Sequence, residues 1–236
     1  MKWILPLLLF ASVNLNCQNL KPKEPVLHYL IREPKIKSGK PPVIILMHGI
    51  RSNERDLFSF ADLLPAQFLV VSARAPYSLG NDGYAWYHAD FSTDTPVINA
   101  EEAEKSRAVV IQFINELKAV HPFDETKVYL CGFSQGAIMS YSVGLTHPEL
   151  VKGIAVMSGR VLEEVKPKVV KNKVLKKLSV FISHGINDNV IKVQNARNAK
   201  TYLESLGISP TYKEYTEVHS INNDMLTDLV NWLSKK

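Results

Sequence analysis

A chain of 236 residues, 46% hydrophobic and 22% charged, holds enough apolar material for one core and shows no composition shift that would divide it. Its formal charge of +5 is modest, the positive residues are scattered apart from one lysine run, and no recognition motif accompanies them, so no nucleic-acid partner is expected. Two cysteines, one near the N-terminus and one in the middle, exclude a disulfide framework.

The first residues, MKWILPLLLFASVNLNCQN, place Lys2 before an apolar run from Trp3 to Val13. That run is shorter than the ~20 residues of a membrane-spanning helix but suits the core of a secretory signal. A signal peptide is therefore expected over 1–16, a flexible tether with prolines at 22 and 25 over 17–25, and a folded domain over 26–236. Cys17 stands where a bacterial lipoprotein carries its lipid, although Asn14, Leu15 and Asn16 depart from the usual residues before such a cysteine. The expectation is an exported protein, periplasmic or attached to a membrane surface through an N-terminal lipid, with secretion as the alternative.

After the tether, buried-strand and helical patterns alternate. PPVIILMHG (41–49) is a continuous β-rich run of the kind buried on both faces of a sheet, and AQFLVVSARAP (66–76) is another, with a helical pattern at 55–65 between them. An irregular aromatic segment (77–96) leads into a long amphipathic helix (98–121). Then come the strand TKVYLCGFS, a helix from Gln135, strands at 151–159 and 178–185, a helix at 194–206, a strand at 211–217 and a last helix at 222–236. This alternation predicts the α/β class: a mostly parallel central sheet, helices on both faces, and ligands at the carboxyl ends of the strands.

At one strand-to-helix junction the chain reads Gly132-Phe133-Ser134-Gln135-Gly136. A strand that turns abruptly into a helix thrusts the turning side chain above the sheet, and glycines two residues away on either side remove the Cβ atoms that would collide. This is the G-x-S-x-G nucleophile elbow in its required context. The plainer reading is a tight glycine turn whose serine caps the helix.

A serine nucleophile needs a base, and the base an orienting acid; on this elbow the chain order is serine, acid, histidine. Of seven histidines only His147, His184 and His219 follow Ser134; the first two sit at a helix end and a strand end, which leaves His219. Asp188 is the only aspartate between Ser134 and His219. Glutamates 149, 163, 164, 204, 214 and 217 are the alternatives, Glu217 being the nearest rival. Two backbone amides suit an oxyanion: that of Gln135, and that of Ile50, where Gly49 permits close approach. His48 reads as shaping that loop.

The stretches LMHGIRSNERDLF, VVSARAPYSLG, GYAWY, GFSQGA, SHGINDNVI and EVHSI together resemble the phospholipase/carboxylesterase family of α/β-hydrolases, which includes acyl-protein thioesterase-like enzymes. The resemblance covers roughly residues 42–235. It implies an α/β-hydrolase fold without a large cap domain, Ser134, Asp188 and His219 at the triad positions, Ile50 and Gln135 at the oxyanion positions, and no metal or organic cofactor. It also implies a serine hydrolase acting on short-acyl esters, lysophospholipids or acyl thioesters. A peptidase on the same triad is the neighbouring alternative, and an inactive scaffold used for binding is the alternative of another class.

Weaker expectations concern the surroundings. Tyr84, Trp86, Tyr87 and Phe91 either cover the core edge or wall a substrate pocket. Arg51 either attracts an anionic group or is a solvated loop charge. The six lysines of 166–177 read as a solvated loop, with contact to anionic lipid as the sharper alternative.

Overall fold

The computed structural model describes residues 24–36, 39–92 and 96–236. The expected signal peptide, Cys17 and most of the tether lie outside the described residues. Pro25 is buried, and the Val26 amide donates to Glu116 Oε2 at 2.6 Å.

The strands are β1 (Tyr29–Arg32), β2 (Val43–Met47), β3 (Leu69–Ala73), β4 (Tyr77–Gly80), β5 (Gly83–Ala85), β6 (Ala89–Asp90), β7 (Val97–Ile98), β8 (Val128–Phe133), β9 (Gly153–Met157), β10 (Ser179–Gly185) and β11 (Thr211–Tyr215). The helices are α1 (Arg55–Phe58), α2 (Ala100–Val120), α3 (Gln135–Thr146), α4 (Gln194–Ser205) and α5 (Asn223–Ser234).

Seven strands form one sheet in the order β1-β3-β2-β8-β9-β10-β11. All neighbouring pairs are parallel except β1 with β3. Strands β2, β3 and β9 are buried at every residue, because helices cover both faces. On one face α2, α3 and α4 pack over Val43, Ile45, Leu130, Val156 and Ile182; on the other, α1 and α5 cover Ile44, Val70, Tyr129 and Phe181. Helix α3 is buried over its whole length. Three of its hydroxyls, on Ser140, Ser142 and Thr146, donate to carbonyls one turn back within it.

From β2 the chain builds outward to β3, then crosses back to place β8 on the other side of β2. Adjacent strands whose connections leave in opposite directions open a crevice at their carboxyl ends, where ligands bind in such sheets. Here the crevice lies between the loop after β2 and the turn after β8, which carry Ile50 and Ser134.

Three local features differ from the sequence reading. The helix expected at 55–65 stops at Phe58 and continues only as a short 3₁₀ turn, Ala61–Leu63. Leu64 is extended (φ −70°, ψ 152°), as a residue before proline prefers, and the Arg32 guanidinium donates to the carbonyls of Ala61, Leu64 and Phe68. The irregular segment contains two antiparallel ribbons, β4–β5 and β6–β7. The first turns through Asn81 (φ 49°) and Asp82 (φ 58°), residue types that tolerate the paired positive φ of a tight hairpin. Strand β1 has no counterpart in the sequence reading: it is four residues long, antiparallel and only half-buried at the sheet edge.

Candidate active site

Strand β8 ends at Phe133 and α3 starts at Gln135, so Ser134 alone carries the change of direction. It does so at φ 54°, ψ −117°, a positive φ that a residue with a side chain holds only under constraint. Its amide donates to Met157 O at 3.0 Å and its carbonyl accepts from Ile138 N at 3.1 Å, which pins it between β9 and the first turn of α3. A Cβ on Gly132 would stand 2.1 Å from the Gly136 carbonyl carbon, and one on Gly136 would stand 1.9 Å from Met47 O. Only bare backbone fits where helix, elbow and β2 meet.

The loop after β11 brings His219 to this serine: Nε2 lies 2.9 Å from Ser134 Oγ and Nδ1 lies 2.7 Å from Asp188 Oδ2. A second close approach makes this geometry available. A Cβ on Gly185 would stand 2.3 Å from Glu217 O, so the loop can lie flat on the end of β10, where Asn187 N donates to the same carbonyl at 3.0 Å. The Phe133 ring supports the imidazole, with centroids 4.9 Å apart.

Asp188 is buried. Its Oδ1 accepts from the amides of Val190 (2.9 Å) and Ile191 (2.8 Å), and its Oδ2 lies against His219 and 3.2 Å from His184 Nε2. Burial pushes its pKa up, but the hydrogen bonds from His184, His219 and the Ile191 amide pull harder and hold it well below the usual carboxylate range. An ionised acceptor on Nδ1 keeps the proton there and leaves the Nε2 lone pair facing Ser134 Oγ. Such a pair can take the hydroxyl proton as the oxygen attacks. The Glu217 carboxylate is occupied elsewhere, by the Val218 amide (2.8 Å) and Asn222 (3.3 Å), and among the described residues it makes no bond to His219.

The loop after β2 is held from behind by His48, which is buried. Its Nδ1 donates to Gly49 O at 2.7 Å and its Nε2 accepts from Ala75 N at 3.0 Å. Burial lowers its pKa, so it serves as a neutral strut. In this loop the Arg51 and Ser52 amides find acceptors in Tyr84 O and Gly49 O. The amide of Ile50, and that of Gln135 at the first position of α3, find none among the described residues. Both residues line the cavity over Ser134.

That cavity measures about 360 Å³. Tyr87, Phe91, Ile98, Phe133 and Ile138 supply apolar wall. The other three residues expected there belong to the surrounding frame, and this corrects their assignment. Trp86 is wholly buried beneath the wall, its indole donating to His48 O at 3.0 Å. Tyr84 lies under the Arg74 guanidinium, 4.6 Å from its centre, and Arg51 is exposed outside the lining. The sequence reading also gave Gln135 only a backbone role. Its side chain bridges to the aromatic segment, accepting from Trp86 N at 2.9 Å and donating to Tyr87 O at 2.7 Å. An amide placed directly after the elbow serine was the available signal.

Residues 31–236 match the sequence profile of the family described as Phospholipase/Carboxylesterase. The chain belongs to that family. Acyl-protein thioesterase 1 of Kluyveromyces lactis is 30% identical over 209 residues, covering 82% of this chain and 91% of the relative. The Arabidopsis thaliana protein named "Probable carboxylesterase SOBER1-like" is 32% identical over 110 residues, 46% of this chain, and the match spans only 42% of that relative's length. Among solved structures, esterase PE8 superposes with a TM-score of 0.77 at 27% identity, covering 89% of this chain and 98% of its own. The fold is that of the α/β-hydrolases without a large cap.

Proposed function

We propose that this protein is a serine carboxylic-ester hydrolase that works through an acyl-enzyme on short-acyl esters or lysophospholipids. The observation that carries the reading is the continuous hydrogen-bonded chain Ser134 Oγ, His219, Asp188, at 2.9 and 2.7 Å, opening into a cavity where two amides have no partner among the described residues. Ser134 Oγ attacks the ester carbonyl while His219 Nε2 takes its proton. The carbonyl oxygen becomes an oxyanion between the Ile50 and Gln135 amides. The intermediate collapses, the alcohol leaves with the proton from His219, and Ser134 keeps the acyl group. Water, deprotonated by His219, attacks the acyl-enzyme; the acid departs and Ser134 regains its proton. The same steps cleave a thioester, and the named activity of the Kluyveromyces lactis relative supports that second reading. The chemically complete serine, histidine and aspartate argue against an inactive binding scaffold.

Steady-state kinetics on p-nitrophenyl butyrate tests the assignment. Asp188→Asn lowers kcat on the order of 10⁴-fold with the fold retained, as neutralising an orienting aspartate does, whereas Glu217→Gln stays near wild type. The opposite pattern would move the acid to Glu217.

The N-terminal assignments are part of the same proposal. A signal peptide over 1–16 and a lipid on Cys17 would put this hydrolase outside the cytosol, at a membrane surface or in the periplasm.

A further inference from the structure

The cavity over Ser134 is lined by two cations, Arg160 and Lys192, and among its described lining residues there is no carboxylate. Arg160 is half-buried and has neither an ion pair nor a hydrogen bond among the described residues, whereas Arg107, also partly buried, is paired with Glu104. The backbone leading to it is tightly placed. It follows β9, the strand next to the one ending at Ser134, through Ser158 (φ 52°) and Gly159, where an added Cβ would stand 2.6 Å from the Ala137 Cβ. Lys192 enters from the turn that Asp188 holds, beside Asn189 and Asn195. Apolar wall comes from Tyr87, Phe91, Ile98, Phe133, Ile138 and Val190.

A guanidinium without a partner, set in a partly apolar wall and seconded by a lysine, is a receiver for an anion. Its fork matches the oxygens of a carboxylate or a phosphate, and the apolar surroundings reduce the competition from water. An ester with no charge would leave Arg160 partly desolvated and unpaired. We propose that the preferred substrate carries an anionic group, carboxylate or phosphate, away from the scissile carbonyl, and that Arg160, assisted by Lys192, binds it. The inference rests on the hydrolase reading above and narrows it from esters in general to anionic ones.

Two matched substrate pairs test this on the purified full chain, with uncatalysed hydrolysis subtracted. The mono-p-nitrophenyl ester of adipic acid against p-nitrophenyl pentanoate places a carboxylate on the acyl side. Butyrylglycerol phosphate against monobutyrin places a phosphate on the alcohol side. The anionic member of at least one pair is preferred in kcat/KM by about tenfold or more, and the preferred pair identifies the source of the anion. The preference falls to near unity in Arg160→Gln and is partly kept in Arg160→Lys. It persists in Lys173→Gln, a change in the distant lysine run that separates local recognition from attraction by net charge. No preference in either pair, or a preference that survives Arg160→Gln, overturns the inference while ester hydrolysis itself stands. A native protein that hydrolyses neither pair and takes up no fluorophosphonate overturns the hydrolase reading and this inference with it.

Discussion

His184 Nε2 stands 3.2 Å from Asp188 Oδ2, with both side chains wholly buried. The same nitrogen lies 2.6 Å from Ile191 O, while His184 Nδ1 has no partner among the described residues. A proton on Nε2 serves both acceptors, so His184 ties the start of the turn at Asp188 to its end at Ile191. Asp188 Oδ2 thus faces a histidine on each side, one reaching Ser134 and one fixed in β10.

His184→Leu is expected to lower stability by roughly 1–3 kcal/mol, because it takes the donor from buried Asp188 Oδ2 and from the part-buried Ile191 O. It also loosens the aspartate that orients His219, so kcat on p-nitrophenyl butyrate falls while KM changes little. His184→Gln, which retains a donor, recovers part of both. Urea unfolding and steady-state kinetics read the two effects; a leucine variant with wild-type kcat would reduce His184 to packing alone.

Glu54 predicts a pH dependence of stability. Its side chain is buried and takes two bonds of 2.6 Å from Arg74, whose guanidinium lowers its pKa from 4.5 to about 2. A carboxylate with a depressed folded-state pKa contributes stability above its unfolded pKa and loses it as pH falls through the folded value. The interval from 4.5 to about 2 corresponds to about 3 kcal/mol, fully present at pH 7 and disappearing as pH falls across that window. Glu54→Gln is therefore less stable than wild type at neutral pH, and the gap between the two closes as the pH approaches 2. Urea midpoints measured between pH 7 and pH 2 follow it; a gap independent of pH would contradict the assignment.

Processing at the N-terminus is expected to take 16 of the 236 residues and leave 220, beginning at Cys17. Because Lys2 is the only charged residue removed, the formal charge of the side chains falls from +5 to +4. One acyl chain anchors only marginally, so stable attachment requires several. Mass spectrometry of the native protein should find an acylated N-terminal cysteine, with Cys17→Ser released into the soluble fraction. An intact Met1 on a cytosolic protein would remove both export and lipid.

The elbow was legible in the sequence because its requirements are local: a buried strand, a helix, and glycines where three backbone segments touch. Asp188 and His219 were legible by elimination within a fixed chain order. The cavity wall was not, because it depends on contacts between distant segments. Gln135 holds Trp86 N and Tyr87 O from 49 and 48 residues away, in a segment whose tyrosine lines the cavity and whose indole is buried in the core. Sequence gave no ground for choosing between two adjacent aromatics. Strand β1 escaped notice because a short, half-buried edge strand has neither the continuous apolar run of the central strands nor a clean alternation. Arg160 carried no motif; its meaning comes from what surrounds it.

The central claim is that Ser134 is a nucleophile activated by His219, and covalent labelling tests it most directly. A fluorophosphonate probe reacts with an activated serine and not with an ordinary hydroxyl. The native protein should gain the mass of one probe less hydrogen fluoride, the modified peptide should contain Ser134, and Ser134→Ala should remain unlabelled while unfolding at the wild-type urea midpoint. Native protein that stays unlabelled, or an alanine variant that labels as fully as wild type, would contradict the account.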